Sequence, residues 1–138
     1  MKNVAWTDAY SLGIPAIDLQ HRRIADALAA MAEEATGQDG LLAVSSISRL
    51  VGLLQEHFQI EESMMRKLGF PELDRHIEEH RRFRAEVENL AHVSSEMQEG
   101  VAQRIGTLLR SWQQEHIMKS DRQYVEYFLR PLPNSEGR

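Results

Sequence analysis

The sequence contains no cysteine. Disulfides, zinc–thiolate sites, iron–sulfur clusters and thiol catalysis are therefore excluded, and any bound metal ion must be held by nitrogen and oxygen donors. No apolar run approaches the roughly 20 residues that span a bilayer, and the first residues, Met1 to Asp8, lack the apolar core of a signal peptide. We therefore expect a cytoplasmic protein that has no membrane-spanning segment.

Basic residues are outnumbered by acidic ones. The 16 Lys and Arg against 21 Asp and Glu give a formal net charge of −5, which does not favour binding to nucleic acid. Hydrophobic residues make up 42% and charged residues 27% of the chain, which is the balance of a globular protein and not of a disordered one. The length of 138 residues fits one domain, so we expect a single domain over residues 1–138.

Proline is scarce, and the four prolines lie at the edges of segments in which apolar residues recur every three or four positions. This period is typical of helices that bury one face, and no segment alternates as a strand does. The predicted helices span residues 17–36, 40–68, 71–93 and 98–129. An ordered arm is expected over about 1–16 and a tail over 131–138. The predicted fold is therefore all-α, an antiparallel up-down-up-down four-helix bundle with an ordered N-terminal arm.

Polar residues occupy inward positions on all four predicted helices. They are His21, His57, Glu61, His76, His80 and His116. An unpaired polar group in a dry core costs about 2–7 kcal/mol, and a single inward histidine is usually satisfied by a core partner. Six such residues at once indicate a shared central partner, and a metal site is the simplest one. His92 lies off the apolar face of its helix and is predicted to be a surface residue.

The spacing of these residues predicts that they lie at one depth in the bundle. His57 precedes Glu61 by four residues and His76 precedes His80 by four, so each pair projects from one helix face. The inward histidines of the first two helices are 36 residues apart, and so are those of the last two. In an antiparallel hairpin, residues equally far from the turn face each other, and both midpoints fall in expected turns.

Asp121 follows His116 by five residues, which is about 140° around a regular α-helix. Beyond Asp121, the spacing of three residues to Tyr124 restores the helical period. A π-bulge inserts one residue and would bring Asp121 back to the core face. A helix break at Lys119 and Ser120 is the alternative.

Together these seven residues resemble the ligand pattern of the hemerythrins. The pattern reads His21, His57-x-x-x-Glu61, His76-x-x-x-His80 and His116-x-x-x-x-Asp121. The arm with Trp6 and the stretch from Ile17 to His21 resemble the bacterial branch of the family. The resemblance covers roughly residues 4 to 130, and the full set in order is a specific signal.

The resemblance implies a non-haem diiron centre with an oxo or hydroxo bridge. One iron would take three histidines and the other two, leaving an open position where dioxygen binds in the family. The implied ligands are His76, His80 and His116 on one iron, His21 and His57 on the other, and Glu61 and Asp121 bridging both. The implied function is a non-enzymatic dioxygen carrier, store or sensor, and a sensor would need a protein partner that reads its state.

The resemblance also implies a pocket over the open iron. Its lining would be formed by Ile24, Phe58 and Trp112. Gln113 departs from the family pattern, which usually has an apolar residue at this position, and its side chain either enters the pocket or leans outward to solvent.

Two other classes of function stay open at this point. The same open site could serve a diiron oxidase or peroxidase, although the Glu-x-x-His motif of carboxylate-rich diiron oxidases is absent. The bundle could also be regulatory or structural and hold zinc or a single iron ion. Neither the oligomeric state nor the choice between carriage, storage and sensing follows from the sequence.

Overall fold

The computed structural model describes residues 6–35, 44–96 and 100–130. The described part of the chain contains helices and no strand, and the prediction of an all-α four-helix bundle is confirmed. The α-helices are α1 (Pro15–Ala35), α2 (Val44–Leu68), α3 (Leu73–Glu96), α4 (Val101–Ser111) and α5 (Arg122–Leu129). The fourth helix of the bundle consists of α4, a π-helical segment over Trp112–Asp121, and α5. None of these helices has a stretch long and apolar enough to cross a bilayer.

The helix ends differ from the predicted ones by a few residues. The first helix begins at Pro15, whose fixed φ and missing N–H suit a first helical position. The third begins at Leu73, after a turn over 69–72 in which the amide of Phe70 is bonded to the carbonyl of Met65. Gly69 in this turn has φ 67°, a left-handed conformation that favours glycine. The predicted turn over 36–40 and the tail lie outside the described residues.

Two apolar clusters enclose the level at which the inward polar residues lie. The larger cluster extends from Ile24 to Ala35 on α1 and includes residues such as Leu54, Val87 and Ile105 from the other helices. The smaller cluster lies towards the opposite end and consists of Met65, Phe70, Tyr124 and Val125. The polar residues between the two clusters are therefore sealed from water at both ends.

The π-helical segment allows His116 and Asp121, which are five residues apart, to lie on the same face of the fourth helix. The amide of Arg122 donates to the carbonyl of Ile117, five residues earlier, so residues five apart share a face. His116 and Asp121 are both buried as a result. The alternative of a break at Lys119 and Ser120 is wrong, because the helix continues through both residues.

The N-terminal arm is tied to the first turn of α1 by one carboxylate. Asp18 accepts hydrogen bonds from the Ser11 hydroxyl at 2.8 Å and from the amides of Leu12 and Gly13 at 2.8 and 3.2 Å. Upstream of this contact, the half-buried ring of Trp6 packs against the larger apolar cluster. The arm is therefore held by both polar and apolar contacts.

Replacement of Asp18 by alanine should release the arm, because two backbone donors lose their acceptor. We expect the free energy of unfolding to fall by about 1–3 kcal/mol and the amides of Leu12 and Gly13 to exchange hydrogen faster. Urea unfolding and hydrogen exchange measure the two effects. Asp26→Ala, an exposed site on the same helix, is the control. Equal behaviour of the two variants would contradict the role of Asp18.

Candidate metal centre

All seven residues predicted to act as ligands lie in the core of the bundle at one level. None of them exceeds 6% exposure. They are His21 from α1, His57 and Glu61 from α2, His76 and His80 from α3, and His116 and Asp121 from the π-helical segment. His92, the residue predicted to be on the surface, is exposed. The four helices of the bundle therefore all contribute to a single polar cluster.

Glu61 stands between histidines of different helices and turns one oxygen towards each side. Its Oε2 atom lies 3.2 Å from Nε2 of both His21 and His57. Its Oε1 atom lies 3.3 Å from Nε2 of His80 and 3.7 Å from Nε2 of His116. The carboxylate thus faces two separate groups of imidazoles.

Asp121 has the same two-sided arrangement. Its Oδ2 atom lies 2.7 Å from Nε2 of His21 and 3.0 Å from Nε2 of His116. Its Oδ1 atom lies 2.7 Å from Nε2 of His76. Each carboxylate therefore presents one oxygen to His21 and the other to a histidine of α3, whereas His116 lies beside the α3-side oxygen of Glu61 and the His21-side oxygen of Asp121.

His116 lies nearer to the α3 histidines than to the other pair. Its ring centroid is 5.0 Å from that of His80 and 5.8 Å from that of His76. The corresponding distances to His21 and His57 are 6.3 and 6.5 Å. The ring positions group three histidines on one side and two on the other.

Within the described residues, two overlapping groups of donors are compact enough to hold a metal ion. The ligand atoms of each group lie within 4.8 Å of one another. One group is His21, His57, Glu61, His116 and Asp121, and the other is Glu61, His76, His80, His116 and Asp121. Both carboxylates belong to both groups, which is the arrangement expected of bridging ligands.

Several buried atoms at this centre have no hydrogen bond of acceptable geometry with any part of the chain that the structure describes, although some lie close to other donors. Those that face the centre are Nε2 of His57, His80 and His116, Oε1 of Glu61 and Oδ2 of Asp121. An unsatisfied buried polar group costs about 1–3 kcal/mol. A cation would satisfy all of them together, and imidazole with carboxylate is a donor set that suits iron. The residues therefore fit a metal centre.

The electrostatics of the cluster lead to the same conclusion. Burial lowers the pKa of His21, but its contacts with Asp121 and Glu61 outweigh burial and raise that pKa to about 9. The pKa of His116 is raised to about 10 because its contacts with the two carboxylates likewise outweigh burial. For His57 burial dominates and lowers the pKa. The two carboxylates therefore favour positive charge at the centre, which either protons or metal cations can supply.

The same contacts keep both carboxylates ionised. Burial raises the pKa of Glu61, but the charge and hydrogen bonding of His57, His116 and His21 outweigh it and hold that pKa well below its usual range. Burial and the charge of Glu61 raise the pKa of Asp121, and its contacts with His116 and His21 outweigh both and lower it. Two anionic ligands are thus available to cations in a core that excludes water.

Three further residues hold the cluster in position, and the sequence pattern did not identify them. Nδ1–H of His57 donates to Oε1 of Gln20 at 2.6 Å, and Nδ1–H of His80 donates to Oε2 of Glu62 at 2.7 Å. These bonds direct the Nε2 atoms of both rings to the centre. Gln20 and Glu62 directly adjoin His21 and Glu61 in sequence, which is the only signal that could have singled them out.

Tyr124 is the third of these residues. Its hydroxyl donates to Oε2 of Glu61 at 2.8 Å. Burial and the negative charge of Glu61 raise the pKa of Tyr124, so the phenol stays a neutral donor. Its helical spacing predicts a core position, but not the contact with Glu61.

The four residues predicted to line the pocket are all buried, and Ile24 packs within the larger apolar cluster. The Phe58 ring stacks on His80 with centroids 3.8 Å apart. The Trp112 ring stacks on His116 at 4.4 Å, and its Nε1–H donates to the carbonyl oxygen of His21 at 3.3 Å. Gln113 is only 5% exposed, so the outward orientation to solvent is wrong.

The fold and the cluster together define a helical-bundle protein with a core suited to metal ions. The chain belongs to the hemerythrin family, because the family model described as "Hemerythrin HHE cation binding domain" matches residues 12–128. The family resemblance predicted from the sequence is therefore confirmed.

Several curated proteins named Bacteriohemerythrin are similar to this chain. The one from Stenotrophomonas maltophilia is 28% identical over 128 residues, covering 91% of this chain and 82% of its own. The one from Pseudomonas paraeruginosa is 29% identical over 126 residues, also covering 91% of this chain and 82% of its own. The one from Clostridium acetobutylicum is 26% identical over 127 residues, covering 88% of this chain and 98% of its own.

Replacement of Tyr124 by phenylalanine should destabilise the metal-free protein, because Glu61 loses a buried neutral donor. A hydrogen bond to a charged group contributes about 1.5–3 kcal/mol, and we expect a loss of that size in the free energy of unfolding. Tyr127→Phe is the matched control, since the half-buried ring of Tyr127 packs on Phe70. Denaturant unfolding of both variants tests this, and equal losses would contradict the role of the Tyr124 hydroxyl.

Proposed function

We propose that this chain binds dioxygen reversibly at a non-haem diiron centre. The proposed ligands are His21, His57, Glu61, His76, His80, His116 and Asp121. The observation that carries the proposal is the division of the two carboxylates, each of which turns one oxygen to the α3 histidines and the other to His21. Such carboxylates would each bridge two metal ions.

The unequal number of histidines supports an open coordination position. With both carboxylates shared, three histidines would serve one ion and two would serve the other, and His116 lies nearer to His76 and His80. The ion bound by His21 and His57 would then have one protein ligand fewer. When bound, the iron pair would supply the electrons that reversible dioxygen binding requires. This less saturated ion is therefore the proposed position for dioxygen.

The side chains around this position exclude water and hold the imidazoles in place. Trp112 covers His116 with its ring and anchors the backbone of His21 through its indole N–H. Phe58 covers His80. Both aromatic residues are nearly inaccessible to solvent, so a bound dioxygen would be shielded from displacement by water. Shielding and a nearly saturated donor set favour binding over the turnover of a substrate.

We expect two iron ions per chain and an optical band that appears when the reduced protein meets oxygen and disappears when oxygen is removed. His80→Ala should lower the iron content sharply, because it removes one of three histidines from its ion. His92→Ala should leave the iron content unchanged, because His92 is exposed and lies outside the cluster. Elemental analysis and absorption spectroscopy measure these outcomes.

Specific results would contradict the proposal. One metal ion per chain, or zinc alone after growth with excess iron, would overturn the diiron centre. Irreversible bleaching on exposure to oxygen would favour the oxidase or peroxidase function instead.

Gln113 would form part of the pocket wall and introduce a polar amide where a hydrocarbon would repel water. We expect the oxygenated protein to autoxidise more slowly after Gln113→Leu, because the variant lacks a hydrogen-bond donor that can hold water in the pocket. Iron content should not change. The decay of the optical band in air measures the rate. Decay at the parent rate would place the Gln113 amide outside the pocket.

A further inference from the structure

The outer nitrogen atoms of two histidines are held by groups of different charge. Nδ1–H of His80 donates to the carboxylate of Glu62 at 2.7 Å, whereas Nδ1–H of His57 donates to the neutral amide oxygen of Gln20 at 2.6 Å. The Nε2 atoms of the two rings lie near different oxygens of Glu61, His80 near Oε1 and His57 near Oε2. The charged and the neutral partner therefore act on opposite sides of the centre.

This difference in charge alters how strongly each imidazole donates to a metal ion. An imidazole whose N–H is bonded to a carboxylate gains imidazolate character and becomes a more basic ligand. A neutral amide has a much weaker effect. Glu62 is 23% exposed, so solvent screens its charge only in part.

A second contact also makes the His57 side of the centre the weaker electron donor. The hydroxyl of Tyr124 donates to Oε2 of Glu61, the oxygen that faces His21 and His57. This donation withdraws electron density from the oxygen on the Gln20 side. Oε1 of Glu61, the oxygen that faces His80, accepts no such bond from the described residues.

We propose that Glu62 and Gln20 are positioning residues that make the two metal positions electronically unequal. The position bound by His80 is the stronger donor site and holds the ion that loses an electron first. The position bound by His57, where we propose that dioxygen binds, is the weaker donor site. This inference rests on the proposed diiron centre.

An exchange of the two partners tests this asymmetry. Glu62→Gln keeps an acceptor for His80 but removes its charge, and Gln20→Glu adds a charge beside His57. Glu56→Gln, on an exposed face of α2, is the control that removes the same charge without the contact. Titration of the metal-free proteins with Co²⁺ measures two affinities, and EPR of the half-reduced iron protein measures how much of the mixed-valence form accumulates.

We expect Glu62→Gln to weaken one of the two Co²⁺ sites on the order of 10–100-fold, the usual effect of removing an outer partner of a ligating histidine. Gln20→Glu should strengthen the other Co²⁺ site. Each single variant should accumulate less of the mixed-valence form than the parent, because the two positions become more alike. The double exchange should restore it in part, because the positions are then unequal in the opposite sense while the Tyr124 bond still acts in the original one.

The possible failures are distinguishable. Binding of fewer than two Co²⁺ ions by the parent protein would overturn the proposed diiron centre and with it this inference. Two bound ions, with Glu62→Gln and Gln20→Glu both matching Glu56→Gln in affinity and in mixed-valence yield, would overturn the asymmetry alone and leave the proposed function intact.

Discussion

Glu61 and Asp121 are fully buried at the centre of the bundle, where an ionised carboxylate costs several kcal/mol unless cationic or hydrogen-bonding partners surround it. The partners come from all four helices, so no helix can slide or rotate without exposing a charge to an apolar neighbour. The contacts of these two carboxylates therefore determine the register of the bundle. The apolar clusters on either side supply most of the hydrophobic burial, but they would tolerate a shift more easily.

The same requirement explains the irregular fourth helix. A regular α-helix cannot present both His116 and Asp121 to one point, because a five-residue step turns the second side chain away from the core. The π-helical segment over Trp112–Asp121 brings both side chains to the core. A π-helix is less favourable than a regular α-helix, and the contacts of Asp121 with His21 and His76 offset that cost.

Much of the fold and of the candidate centre could be predicted from the sequence, because apolar spacing and inward polar positions are periodic signals. The four helices, six of the seven clustered side chains and the exposed position of His92 follow from that period, whereas Asp121 needed a slip in the helix to reach the core and was identified as a ligand through the family resemblance. The length of the π-helical segment does not, since the spacing indicates only that the period slips between His116 and Asp121. Helix starts such as Pro15 depend on turns and caps, which period alone does not reveal.

The outer contacts escaped prediction for a different physical reason. Gln20, Glu62 and Tyr124 are polar or amphipathic residues at or beside the inward face, and many such residues simply reach solvent or pack in the core. Which of them turns towards a buried imidazole or carboxylate depends on the three-dimensional crossing of the helices. Spacing along one helix carries no information on that crossing.

The indole of Trp112 joins chain segments that are far apart in sequence, since it bonds to the carbonyl of His21 and stacks on His116. Synthesis reaches the first five donors of the cluster, on α1, α2 and α3, well before His116 and Asp121. A chain still lacking its last helix would carry four histidines and one carboxylate, without His116, Asp121 or the covering ring of Trp112. Docking of that helix, with the tryptophan closing over the imidazoles, is therefore the step that converts a loose set of donors into a chelate, and tight metal retention has to follow folding of the whole bundle.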